Sequence, residues 1–170
     1  MEIPTPEPPL AEGDVALRPW CVEDAPVLAR AWNDPAIRRW CSVPEDATEE
    51  GAERWIAGSA QCRADGLALD LAVVCDGHLA GEVGLGPIQW SHRRAAVGFW
   101  VDADHRRNNL AAKALRLLAD WALAELPLDT LAGEASTENP ASGWTLKAAG
   151  FELITERHTR QAWLRESAER

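Results

Sequence analysis

Hydrophobic and polar positions change period several times along the chain, and each change marks an element. Val15-Ala16-Leu17-Arg18-Pro19 is a short strand, and Asp24 to Asn33 follows with apolar residues Val27, Leu28, Ala31 and Trp32 at helical spacing. Asn33-Asp34-Pro35 stops that helix, because proline disfavours a helical residue before it. Thr48 begins a second helix as its cap, with acidic residues in the first turn and Trp55, Ile56 and Ala60 on its apolar face; Gly66 ends it. Leu67 to Cys75 and His78 to Trp90 are strands joined by the two-residue hairpin signal Asp76-Gly77. Ala95 to Val101 is a further apolar strand. The period then becomes helical from Leu110 to Leu126, with Leu110, Ala114, Leu117, Leu118 and Trp121 in one stripe. Leu128 to Ala135 reads as a strand, Asn139 to Ala149 as a helix ended by Gly150, and Phe151 to Leu164 as a closing hairpin. No repeat or interdomain linker interrupts this order, which predicts a single mixed α/β domain.

Composition narrows the classes. With 170 residues, 46% of them apolar, a sizeable core is expected. The start, residues 1–12, reads as a mobile Pro-rich lead-in rather than a secretory signal, leaving 13–166 as the domain. No apolar run approaches the roughly 18 residues of a membrane span, so no membrane partner and a cytoplasmic location are expected. The net charge of −10 repels nucleic-acid backbones. It suits cationic partners such as amines, and equally suits plain solubility. Cys21, Cys41, Cys62 and Cys75 are scattered and read as reduced, buried thiols, and His78, His92, His105 and His158 show no ligand spacing; no metal is expected.

The chemistry concentrates between Val97 and Lys113, where a strand runs through a turn into a helix. The first-turn N–H groups and positive dipole end of that helix form an anion site. Arg106 and Arg107 add charges suited to phosphate, and Asn108 or Asn109 is able to cap the helix or adopt a left-handed conformation. The alternative is an ordinary capped helix with solvated arginines.

At these residues the chain resembles the GCN5-related N-acetyltransferases (GNAT), in particular the branch that acetylates N-terminal amines of ribosomal proteins. The family motif Gln/Arg-x-x-Gly-x-Gly/Ala reads here Arg106-x-x-Asn109-x-Ala111, preceded by Val97-Gly98-Phe99-Trp100-Val101-Asp102 in place of an Ile-Gly-Tyr-Trp-Leu-Asp strand. Leu17-Arg18-Pro19-Trp20 with Glu23-Asp24-Ala25, Trp32-Asn33-Asp34-Pro35, Ala80-Gly81-Glu82-Val83-Gly84-Leu85, and Asn139-x-x-Ser142 before Gly150-Phe151 agree in order. The resemblance spans roughly residues 14 to 165.

The resemblance implies a mostly antiparallel central sheet, flanked by helices and splayed between its fourth and fifth strands. It implies acetyl-CoA or another acyl-CoA as co-substrate, its pantetheine pairing with Phe99, Trp100 and Val101. The pyrophosphate would lie on Arg106, Arg107, Asn108, Asn109, Leu110 and Ala111, and Asn139 would bond the pantetheine arm. Direct attack of an amine on the thioester needs a base for the amine and an acid for the departing thiolate. The glycines usual at 107 and 109 are Arg107 and Asn109, and the usual glutamate position is Ala96. Glu82 is then the first candidate base, with Glu156 and His158 in reserve; the bland reading of Glu82 is a surface carboxylate. The chain has no tyrosine, so Ser142 replaces the usual acid, unless it is only a local cap. Trp20, Trp32, Trp40, Trp55 and Trp90 fall in segments that surround the acceptor groove of relatives, or else are core.

The function implied is acyl-CoA-dependent transfer, of acetyl in the first instance, to a primary amine of a protein N-terminus, a lysine or a small molecule, in a chain whose relatives often form homodimers. The alternatives are a GNAT-fold module that binds coenzyme or a partner with weak or no catalysis, and a domain that has lost coenzyme binding.

Overall fold

The computed structural model describes residues 1–157 and 159–168. Eight strands form one sheet: β1 (Leu10–Glu12), β2 (Val15–Pro19), β3 (Leu69–Cys75), β4 (His78–Gln89), β5 (Arg94–Val101), β6 (Thr130–Ser136), β7 (Glu152–Arg157) and β8 (Arg160–Glu166). Their order across the sheet is β1-β2-β3-β4-β5-β6-β8-β7, antiparallel throughout except for the parallel pair β5–β6. The helices are α1 (Ala25–Trp32), α2 (Pro35–Trp40), α3 (Glu49–Ala64), α4 (Leu110–Glu125) and α5 (Pro140–Ala148). The expected α/β class and splayed sheet are both present. Among the described residues no helix is long and apolar enough to cross a membrane.

Strand alternation sends two sets of side chains to opposite faces. Leu69, Leu71, Val73, Val83, Leu85 and Ala95 pack under α4, whose Leu110, Ala114, Leu115, Leu118 and Ala122 recur at helical spacing. On the other face a smaller core joins Leu28 and Trp32 of α1, Ile37 of α2, Ala52 and Ile56 of α3, and Trp100 of β5. The Asp76-Gly77 turn has φ of 49° and 79°, the left-handed pair that a tight hairpin requires.

Two features add to the sequence reading. Asn33-Asp34-Pro35 not only stops α1 but also starts α2: the Asp34 carboxylate accepts from the N–H groups of Ala36 (2.7 Å) and Ile37 (3.1 Å), with Pro35 in the first turn. Parts of the Pro-rich start, residues 1–12, rest against the domain. Ile3 is fully buried, its N–H donates to Arg63 O, Arg63 Nη1 donates back to Ile3 O at 2.7 Å, and Leu10–Glu12 adds the edge strand β1. Ile3, the Arg63 hydrogen bonds and the β1 pairing together seat a proline-rich segment that has little backbone freedom to lose.

Candidate active site

Strands β5 and β6 pair only at Arg94–Thr130, Ala95–Leu131 and Ala96–Ala132. Beyond Ala96, β5 stays paired to β4 while β6 stays paired to β8, so the two part company. The edge of residues 97–101 facing β6 is thereby left without a strand partner, which is an invitation to an extended ligand. The gap is part of a cleft of about 860 Å³ whose lining includes Val97 to Val101, Arg106, Ala111, Asn139 and Ser142 together with Trp32, Trp40, Trp55, Asp70 and Glu82. A β-carbon at Gly98 would meet nothing within 4 Å, so the sheet face over that residue is open. The open edge and the helix start beside it fit an elongated, phosphate-bearing coenzyme.

The turn into α4 has the backbone of a glycine-rich loop without the glycines. Arg107 and Asn109 both lie in the left-handed region, with φ of 68° and 57°. Asn tolerates that region well, whereas Arg at the same angles is held under strain on the order of 1 kcal/mol. Asn109 is the N-cap of α4 yet makes no side-chain cap hydrogen bond, and no acidic residue stands in the first turn. The helix therefore opens with uncapped N–H groups and an unopposed dipole, the condition for holding an anion. Arg107, Asn108 and Asn109 are exposed, Leu110 is buried and Ala111 half-buried. Arg106 behaves differently from its neighbour. Its Nε donates to Val101 O at 3.1 Å and its Nη2 meets Asp34 at 3.0 Å. Its charge ties the loop to the start of α2, and Arg107 carries the free charge of the turn.

Glu82 sits in the middle of β4, opposite Ala72 on β3 and Trp100 on β5. The residue keeps some accessible surface because it lines the cleft, but its Oε2 is buried and has no hydrogen-bond partner. Burial, and then the nearby Asp70 carboxylate, push its pKa from 4.5 up to about 8, against the opposing pull of the Trp100 indole N–H. The bland reading of Glu82 as a surface carboxylate does not hold. Asp70 is also raised by burial, while the Ser59 hydroxyl, donating at 3.0 Å, favours its charge. Cys41, lining the same cleft, is pushed to about 11 by burial and then by the Glu82 charge, so it stays a thiol.

Asn139 is the N-cap residue of α5 and its side-chain amide donates to Ser142 Oγ at 2.9 Å. Ser142 accepts that bond, which leaves its own O–H to be donated into the cleft both residues line. Glu156 lies elsewhere, exposed on the edge strand β7 and bonded to Gln161, outside the cleft lining. His158 lies outside the described residues. Of the tryptophans named from sequence, Trp32, Trp40 and Trp55 line the cleft. Trp20 instead packs edge-on against Trp55 at 5.9 Å, and Trp90 donates to Gly66 O. Asp70 is the residue that sequence reasoning passed over. It is the single charged residue between Leu67 and Cys75, and a lone acid in an apolar strand was the available signal.

Residues 14–152 match the family model described as the acetyltransferase (GNAT) domain. "Uncharacterized N-acetyltransferase p20" of Bacillus licheniformis is 23% identical over 140 residues, which covers 81% of this chain and 79% of that protein. Among solved structures, the ribosomal L7/L12 alpha-N-protein acetyltransferase RimL with coenzyme A superposes with a TM-score of 0.83 at 17% identity, over 93% of this chain and 96% of that one. The microcin C7 self-immunity acetyltransferase MccE, with acetyl-CoA and AMP, gives 0.81 at 17% identity over 91% and 93%. These structural likenesses establish the fold. With a family model matched across most of its length, the chain belongs to the GNAT family of acyl-CoA-dependent N-acetyltransferases.

Proposed function

We propose that the chain transfers an acyl group, acetyl in the first instance, from acyl-CoA to a primary amine, with Glu82 as base and Ser142 as acid. The observation that carries this reading is Glu82, a carboxyl pushed up to about 8 whose unpaired Oε2 belongs to the same cleft as the open β5 edge and Ser142. Bound acyl-CoA would supply a thioester carbonyl open to attack by a neutral amine. The N–H groups at the start of α4, from Asn109 to Ala111, would hold its pyrophosphate, with Arg107 and Asn108 alongside. The β5 edge at Phe99, Trp100 and Val101 and the Asn139 side chain would align its extended arm.

Glu82 takes a proton from the incoming amine. Proton transfer is easiest between groups of similar affinity, and a value of about 8 lies close to the roughly 7.7–8.0 of a chain α-amino group and well below the ~10.4 of lysine. RimL is named for acetylating the α-amino group of a ribosomal protein, and the same class of acceptor is proposed here. Ser142 donates its O–H proton to the departing sulfur, Asn139 fixing the hydroxyl that does so. No step calls for a metal.

A second reading, a coenzyme-binding module with weak catalysis, draws on Arg107 and Asn109, which place side chains where the family has glycines. Thiol release from acetyl-CoA across a panel of free-amine peptides and small amines separates the two. The proposed function predicts turnover that rises with pH to a plateau above about 8 and is lost in Glu82→Gln. Coenzyme binding without turnover on any amine favours the module.

A further inference from the structure

The register of three strands places a second acid beside Glu82. Asp70 on β3 is the cross-strand partner of Gly84, and Gly84 is the partner of Gly98 on β5. The next row on the same face is Ala72, Glu82 and Trp100. The row holding Asp70 thus continues across two glycines and leaves a trough in the sheet floor. The trough is in use: a β-carbon at Gly84 would stand 2.6 Å from Asp70 Oδ1, so the carboxylate lies over the glycine, toward the strand that carries Glu82. The other oxygen, Oδ2, is held from α3 by Ser59 at 3.0 Å. Diagonal neighbours on adjacent strands are within reach of long side chains, and both acids line the cleft.

We propose that Asp70 is the second carboxylate of the acceptor site, so that Asp70 and Glu82 together receive the acceptor as its primary ammonium and take its proton as a pair. The proposal rests on the reading of the cleft as an amine acyl-transfer site. Two acids in an apolar enclosure are costly to ionise together, so the empty site keeps a proton between them. The unpartnered, buried Oε2 of Glu82 is an acceptor waiting for a donor. An ammonium group brings three donors and a positive charge, enough to satisfy both carboxylates at once. The protons balance. One passes from the ammonium to the carboxylate pair and on to solvent. As nitrogen bonds to the acyl carbon the carbon–sulfur bond breaks, and a second proton, lost from nitrogen, replaces the one Ser142 gives the sulfur. The third stays on the amide.

Among the described residues the following groups bear on the pair. Ser59 of α3 and the Trp100 indole of β5 donate to it. Cys41, just past α2, is a neutral thiol, and Arg106 acts on Cys41. Among the described residues none of these groups sets a cation against the two acids, and an ammonium is the group that would.

The test uses the full chain with carbon-13-labelled glutamate, following the Glu82 carboxyl by NMR across pH, with butylammonium as probe and butanol as its neutral control. Asp70→Asn keeps the shape and removes the charge. Glu82 is expected to titrate at distinctly lower pH in this variant, and butylammonium to bind several-fold more weakly, with acetyl-CoA affinity unchanged. Ser59→Ala leaves both acids in place and should move Glu82 the same way by less, which keeps the test decisive where Asp70→Asn fails to fold. Glu82 titration and probe binding unchanged in a folded variant overturn the proposal, as does equal binding of butanol. If Glu82 moves and butylammonium binds while acetyl-CoA releases no thiol with any amine, the ammonium site stands and the acyl-transfer reading fails.

Discussion

Glu82→Gln should change how stability depends on pH, not merely its level. In the unfolded chain the carboxyl has its ordinary value of 4.5, and in the fold it is pushed up to about 8. Between those values the folded protein holds a proton that the unfolded chain has lost. Unfolding then releases a proton, so stability falls as pH rises from 4.5 to about 8 and is flat beyond it. At about 1.4 kcal/mol per pH unit, Glu82 alone removes ~4 kcal/mol of stability between about pH 5 and about pH 9. Glutamine has the shape of the protonated acid and still accepts from the Trp100 indole, so the variant should match the parent at the acidic end and exceed it at the alkaline end. Urea denaturation followed by tryptophan fluorescence, which nine tryptophans make easy to read, measures both chains across that range. Asp70, raised by burial, contributes residual slope of the same sign in both. Parallel stability curves for the two chains would refute the reasoning, because they would mean that Glu82 ionises as freely in the fold as outside it.

Three other outcomes follow from the geometry. Ser142→Ala should lower kcat in the thiol-release assay by roughly 10²-fold while leaving coenzyme affinity near the parent's, a general acid's usual share of a rate; an unchanged kcat would remove the hydroxyl from the reaction. Ala111→Asp places a carboxylate in the uncapped first turn of α4, which should stabilise the helix by about 0.5 kcal/mol and weaken acetyl-CoA binding at least tenfold by calorimetry. Gly81→Ala should destabilise by at least about 2 kcal/mol in urea, because its β-carbon would run into the Trp100 carbonyl oxygen on β5.

Much of this was legible in the sequence because it is local. The turn at Arg106 to Ala111 announces itself through a strand, a polar turn and a helical stripe within a few residues, and Asn109 is a residue type that accepts the left-handed angle found there. The opening Leu17-Arg18-Pro19-Trp20 with Asp24 has an equally local reason: the Arg18 guanidinium forks onto the Asp24 carboxylate at 2.6 and 2.8 Å. What escaped depends on contacts distant in the chain. The side-chain charge of Arg106 is committed to Asp34, a partner no motif links to it. Asp70 gains meaning only from a register that sets it over Gly84. The seat of Ile3 depends on Arg63 of α3, and α2 is too short for its periodicity to be read. Glu82 could be named only as a candidate base, because Ala96 stands where the family's glutamate is usual; its raised affinity for a proton comes from burial and from Asp70 on the neighbouring strand, which the local sequence does not display.

The most direct test of the account is a crystal structure of the chain with coenzyme A bound. The account predicts the pantetheine arm along residues 97–101 in the gap between β5 and β6, the pyrophosphate on the N–H groups that open α4, and the sulfur within reach of Ser142. Coenzyme bound away from that gap, or β5 and β6 closed against each other with the start of α4 empty, would contradict it.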